Sequence, residues 1–283
     1  MTVLAVARRL RALPPTLVLG GIVVGLFVLL ALAGPWLAPY AYDAFDVRVR
    51  MQPPNPAHWL GTDEFGRDVL SRVLAGAPYS LAIGLGAAGL SLAIGVPLGL
   101  VAAYYRGAVG ETIMRCVDVL ISVPPILLGL LLLAVTTPSL GKTIVAVGII
   151  YVPVMTRITR SVSLGLLSEG FVEAAHARGE SVVYVLCREI LPNAWPAIIV
   201  ETSLRVTFAV LLGSALSFLG LGAQPPLSEW GLMISESRAY IEQAPWIGLA
   251  PGGALCLLLI AVNLVGEGLR EALDPRLVRR GSA

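Results

Sequence analysis

The chain has 283 residues, 57% of them hydrophobic and only 13% charged, and its mean hydropathy is +0.83. An ordinary soluble domain carries about a quarter charged residues, so this composition excludes one and points to a membrane protein. Twenty basic and 18 acidic groups leave a net charge of +2, too small to attract nucleic acid.

Apolar runs of 18 or more residues read as membrane-spanning helices, because about 20 residues cross the hydrocarbon core. Six runs qualify in chain order: 16–38, 80–103, 112–135, 143–163, 194–219 and 247–265. No A-x-A-type cleavage pattern follows the first, which is expected to remain as an anchor. Prolines 97, 124, 125, 153 and 251 lie in or at the ends of these runs, where packed membrane helices tolerate them. With both termini inside, thirteen of the basic residues are cytoplasmic and six external, while Arg205 lies within a span. That bias favours cytoplasmic termini and a multi-pass protein of the cytoplasmic membrane. The expected organisation is one transmembrane domain over 1–283: a cytoplasmic start (1–15), an external loop (39–78), a cytoplasmic loop (164–192) and a cytoplasmic tail (270–283).

The first part of the external loop, "MQPPNPAHWLGTDEFGRD" (51–68), is rich in Pro, Gly and Asn, as an ordered loop would be. Then Phe65, Val69, Leu70, Val73 and Leu74 share one helical face. That spacing predicts a short amphipathic helix, capped by Thr62 or Asp63, lying on the membrane surface or against other spans. "GLGAAG" at 84–89 has dinucleotide-loop spacing but no preceding strand, so close helix packing is expected there. "GKT" at 141–143 lacks the first P-loop glycine and reads as a charged loop at a helix start. Asp118 falls in the third span near its cytoplasmic end. The cytoplasmic loop holds "GFVEAAHAR", two turns of helix closed by Gly179, and a second amphipathic segment ended by Pro192. Ala174, Ala175 and Gly179 remove side-chain bulk, as a docking surface for another backbone would require.

In the fifth span an unpaired Arg205 would cost at least about 2.5 kcal/mol. Glu201, four residues earlier, is a ready partner. Two readings stand for this pair, and Asp118 shares them: a structural ion pair, or a lining of a translocation path or gate. "GLGAQPPLSEWG" (220–231) predicts a stiff external connection with Trp230 at the interface. Cys116, Cys187 and Cys256 are scattered; no disulfide is implied, and they read as small core residues. His58 and His176 lie on opposite sides of the membrane, so no metal site and no catalytic centre are predicted.

"EAAHARGESVVYVLCREILP" (173–192) resembles the EAA loop of ABC-importer permeases, E-A-A-x-x-x-G-x(9)-I-x-L-P. Glu173, Ala174, Ala175, Gly179, Leu191 and Pro192 match its spacing, while Glu189 stands where the pattern has Ile. "HWLGTDEFGRDVLSRVLAGAPYSL" (58–81), "SFLGLGAQPPLSEWGLMI" (217–234) and "NLVGEGLREALDPRL" (263–277) are similar to the second permease of dipeptide, oligopeptide and nickel importers. The similarity covers essentially the whole chain. It implies an all-α membrane protein of the type I importer-permease kind, with six transmembrane helices and a cytoplasmic coupling loop. It implies a non-catalytic subunit for ATP-driven peptide import, with nickel complexes, glutathione or another small solute as the alternative cargo. The implied partners are a second homologous permease, two ATP-binding subunits, an extracytoplasmic solute-binding protein and membrane lipid. ATP and magnesium would sit in the ATPase subunits and no cofactor in this chain. Glu173, Ala174, Ala175, His176, Arg178, Gly179, Leu191 and Pro192 would meet the ATPase; Glu64, Arg67, Gln224 and Trp230 are the expected contacts for the binding protein. An ion-driven secondary transporter is the competing class, but it needs its own midplane ion site and leaves the EAA loop without a task.

Overall fold

The computed structural model describes residues 14–273. The expected terminal segments therefore lie largely outside the described residues. The described chain is helical, and its β structure is one isolated bridge, Thr62 to Asp68.

Helix α1 (Pro15–Leu37) starts on a proline, whose missing N–H costs nothing in a first turn. It packs against α2 and the final helix. Helix α2 (Val69–Tyr104) has 36 residues and is about 54 Å long. The expected surface helix and second span are thus one continuous rod. Its cap is Asp68, not Thr62 or Asp63: Asp68 Oδ2 accepts from Ser71 N at 2.8 Å and from Ser71 Oγ at 2.7 Å. The reason lies just upstream, where Asp63 Oδ1 takes the N–H groups of Phe65 and Arg67, each at 2.9 Å, in a tight turn. Gly66 completes that turn at φ 75°, with Asp46 O where a Cβ would stand. Only glycine fits, and the helix cannot begin before it.

The third span is broken. Helices α3 (Ala108–Ser122) and α4 (Pro125–Ala134) meet at 91°. Val123-Pro124-Pro125 causes the break: a residue before proline avoids helical backbone, and Val123 and Pro124 are extended with ψ 127° and 132°. Helix α5 (Leu140–Leu166) follows, capped by Ser139, with Lys142 Nζ tied to Thr137 O at 2.9 Å. The GKT string, expected as a charged loop at a helix start, lies instead inside the first turn of that helix, because Ser139 caps one residue before Leu140. Helix α6 (Gly170–Ala177) is short; α7 (Val182–Phe218) is long, and its stretch Val185–Ile190 is π-helical. Pro192 has no N–H to donate and its ring crowds the carbonyl four residues back, which accounts for the widened turn there. Helices α8 (Trp230–Ser237) and α9 (Trp246–Leu273) complete the described residues. Among the described residues five helices are long and apolar enough to cross a membrane, and the bent α3–α4 pair can count as a sixth.

The α2–α5 crossing is the most extensive contact. Gly95 and Gly99 permit it: a Cβ on Gly99 would sit 2.6 Å from Thr156 O, and one on Gly95 2.7 Å from Met155 Cβ. Two of the three glycines of "GLGAAG" also allow close packing, Gly86 against Ile144 and Gly84 against Val206 and Val210, while Gly89 faces open space. At one end of the bundle, here the EAA end, α2, α5, α6 and α7 share a core containing Leu100, Met155, Val172, Ala175, Leu186 and Ile190. At the opposite end Phe27, Leu81, Trp230, Met233 and Leu258 form another. The cysteines are not core residues: all three are exposed on helix faces. A thiol is apolar enough to sit there against lipid or another helix.

Candidate functional site

The EAA loop is built as a two-faced element. On α6, Val172 and Ala175 are fully buried in the core below, while Glu173, Ala174 and His176 are exposed. Ala175 is therefore small because α2, α5 and α7 pack against it, not because it is open to a partner. Gly179 is the left-handed residue expected to close α6. Nothing lies within 4 Å of a Cβ built on it, but its φ is 75°. It closes α6 with the paired bonds of a Schellman turn, Gly179 N to His176 O at 2.9 Å and Glu180 N to Ala175 O at 3.2 Å. Left-handed backbone, not lack of space, demands the glycine.

The second arm of the loop explains the departure at position 189. Glu189 faces outward and pairs with Arg178 at 3.1 Å, and Arg178 also reaches Glu180 at 3.5 Å. Ile190, one residue later, is fully buried in the shared core. The register of the widened turn puts Ile190 inward with Leu186 and Ala194, so the buried apolar position falls one residue after 189. Leu191 is half-buried against that core and Pro192 is exposed. Tyr104, the last residue of α2, holds its hydroxyl 3.4 Å from His176 Nε2. The exposed face of α6 is thereby tied to the longest helices of the bundle.

Within the bundle, Arg205 Nε lies 2.7 Å from Glu201 Oε1, and both side chains are mostly buried. The guanidinium also stands over Tyr151 at 5.4 Å and Phe208 at 5.0 Å. Pairing and aromatic faces together neutralise the cost of a charge in the span. Glu201 also lines a cleft of about 510 Å³ between α7 and α9 with Asn193 and Arg270. Asp118 stands apart from this pair. It bonds to Arg157 of α5 with both side chains about half exposed, so it is no buried charge.

At the opposite end, the residues expected to meet an external partner are mostly inside. Trp230 is 1% exposed, gives its indole N–H to Val73 O at 3.0 Å and meets Phe27 edge-on. Gln224 binds its own loop, at Gly220 O (3.1 Å) and Ala223 O (3.0 Å). Arg67 is 4% exposed, with Nε 2.6 Å from Asp63 Oδ2 and its guanidinium over Phe65 at 4.7 Å. Glu64 is buried beside it, 3.7 Å from Arg67. Arg72, 1% exposed, binds Asp63 and Glu236, each at 2.8 Å. Burial pushes the Glu64 carboxyl above its ordinary range, with the neighbouring charges of Asp63 and Glu236 adding to the effect.

Sequence reading missed Asp63, Arg72, Glu229 and Glu236 as structural groups. Glu229 is wholly buried and caps α8, accepting from Gly231 N and Leu232 N at 2.9 Å and from Ser214 Oγ at 3.2 Å. For Asp63 the available signal was the density of charge in "DEFGRD" (63–68), which a surface turn does not need.

Among the described residues the chain is thus a helical bundle whose strand pairing is one bridge, with a polar loop seated on the long helices α2, α5 and α7 at one end and a structured segment at the other. Residues 95–279 match the family described as binding-protein-dependent transport system inner membrane component, and residues 6–54 match the N-terminal TM domain of oligopeptide transport permease C. The chain belongs to that family of inner-membrane components. The dipeptide transport system permease protein DppC of Alkalihalophilus pseudofirmus is 40% identical over 92% of this chain and 86% of its own length. The glutathione transport system permease protein GsiD of Pectobacterium atrosepticum is 42% identical over 89% and 86%. In fold, the chain is similar to the inward-facing MetNI methionine ABC transporter, with a TM-score of 0.60 at 18% identity over 72% of this chain and 96% of that one.

Proposed function

We propose that this chain is the second permease of an ATP-driven importer of short peptides. It would pair with a homologous permease, two ATP-binding subunits carrying ATP and magnesium, and an extracytoplasmic binding protein. The chain itself would hold no catalytic group. The observation that carries the reading is the EAA loop: an exposed face of Glu173, Ala174 and His176, backed by a buried face of Val172 and Ala175 that is continuous with α2, α5 and α7. A push on the exposed face moves the bundle because the buried face is close-packed. Arg178, Gly179, Leu191 and Pro192 then shape and hold the loop rather than cover it.

In this arrangement the EAA end and both termini face the cytoplasm, as the arginine bias favours, and the 39–68 segment faces outward. The exposed apolar faces of α3 and α4, with Val119, Leu131 and Val135, suit the second permease and lipid. Alternating access is a bistable repacking driven by closure of the ATPases. Peptide cargo is favoured by dipeptide-named relatives such as that of Alkalihalophilus pseudofirmus; glutathione, itself a tripeptide-like acid, is the second reading, because a GsiD relative is equally similar. The test is uptake of labelled dipeptide and of glutathione into proteoliposomes holding the complete complex, with and without ATP. Uptake that needs no ATPase subunit would refute the proposal.

A further inference from the structure

At the end opposite the EAA loop, the 39–68 segment and the α7–α8 and α8–α9 connections enclose a cleft of about 640 Å³, the size of a small-molecule site. Phe45, Phe65 and Tyr240 give it aromatic walls, and Glu64, Arg67 and Glu236 supply its charge. Three carboxylates, Asp63, Glu64 and Glu236, face only two guanidinium groups there, Arg67 and Arg72. One negative charge is left uncompensated. The distances say whose it is. Asp63 and Glu236 each take a guanidinium nitrogen within 2.8 Å, whereas Glu64 comes no nearer to Arg67 than 3.7 Å. Glu64 is 7% exposed, and its Oε2 has no hydrogen-bond partner among the described residues. A buried acceptor left open in this way is destabilising, more so when charged. The arrangement is one that an incoming donor would complete.

We infer that this cleft receives a primary ammonium group, and that the group is the free amino terminus of the transported peptide. An ammonium supplies a positive charge and three donors, matching one excess carboxylate with an open oxygen. The terminal torsion of a glutamate is broad, so the carboxylate turns towards the cleft without leaving its rotamer. Aromatic faces tolerate a cation, as Arg67 over Phe65 and Phe45 already shows. Because Arg67 occupies those faces, the charge of Glu64 and not the rings sets the selectivity. The inference rests on the peptide reading above and adds which end of the peptide is recognised at the outer mouth.

The test uses the full-length chain in its reconstituted complex without the binding protein, which would otherwise recognise the peptide itself. Binding of alanyl-alanine, N-acetyl-alanyl-alanine and ethylammonium is measured by saturation-transfer NMR and calorimetry. Alanyl-alanine and ethylammonium should bind, and acetylation should weaken binding at least about tenfold, the effect of losing one charge-assisted bond. Glu64→Gln should weaken both amine ligands to a similar extent, while Glu64→Asp, which keeps the charge, should bind better than Glu64→Gln. Thermal unfolding of each variant checks that the fold survives; the acetylation comparison needs no variant at all. Equal binding of the acetylated peptide, or unchanged binding by Glu64→Gln, would overturn the inference. Binding of ethylammonium but not of alanyl-alanine would also overturn it, and would assign the site to a lysine of a docked protein. Failure of the peptide reading shows separately, as absence of ATP-dependent dipeptide uptake by the wild-type complex.

Discussion

Replacing Ala174 and Ala175 by leucine, one at a time, separates docking from packing at two adjacent residues. Ala175 is fully buried between α6 and the core of Val172, Val185, Leu186 and Ile190. Added methylenes there overpack a filled site, at about 1–3 kcal/mol. Since about 1.4 kcal/mol is tenfold in a population, the loop should open roughly 5- to 150-fold more often. Ala174 is exposed on the other face, so leucine there should change stability by less than about 0.5 kcal/mol. It should still obstruct a closely fitting ATPase surface. Hydrogen exchange over residues 170–192 in the purified complex reads the first effect, and peptide-stimulated ATP hydrolysis reads the second. Ala175→Leu should speed exchange, while Ala174→Leu should leave exchange alone and lower stimulated hydrolysis. If Ala175→Leu left exchange unchanged, or Ala174→Leu left both unchanged, the two-faced description of α6 would be wrong.

Gly179→Ala should destabilise the loop by about 1–2 kcal/mol through backbone strain alone, because its Cβ meets nothing; exchange at Glu180 reads this, and a wild-type rate would contradict the turn. Glu201→Ala leaves Arg205 mostly buried without its carboxylate and should cost about 3 kcal/mol, seen as a lower unfolding midpoint in detergent; a loss under about 0.5 kcal/mol would mean the pair is hydrated. Glu64 gives a pH dependence of definite sign. Its carboxyl is raised above 4.5 by burial and by Asp63 and Glu236, against the opposing pull of its own backbone N–H and of Arg67, so the folded state holds the proton more tightly than the unfolded one. The stability this supplies is complete below pH 4.5 and is lost as pH rises through the raised value. Glu64→Gln should therefore be more stable than wild type at pH 8, with the difference shrinking towards pH 5; a constant difference would remove Glu64 as its source.

The periodicity and length of the apolar runs determined the number and order of the membrane helices, because crossing hydrocarbon sets a minimum length that composition alone reveals. The spacing of Glu173, Ala174, Ala175, Gly179, Leu191 and Pro192 likewise determined the loop and the family. The sequence could not say which of those residues face a partner, since small side chains serve a buried crossing, a left-handed turn and an open surface alike. Tertiary packing decided it: Ala175 inward, Ala174 outward, Gly179 set by its φ. It also decided that "DEFGRD" folds into a buried ion-pair cluster, because Arg72 of α2 and Glu236 of α8, distant in sequence, close over Asp63. Charges look like surface until the elements that neutralise them are brought together, and only the fold does that.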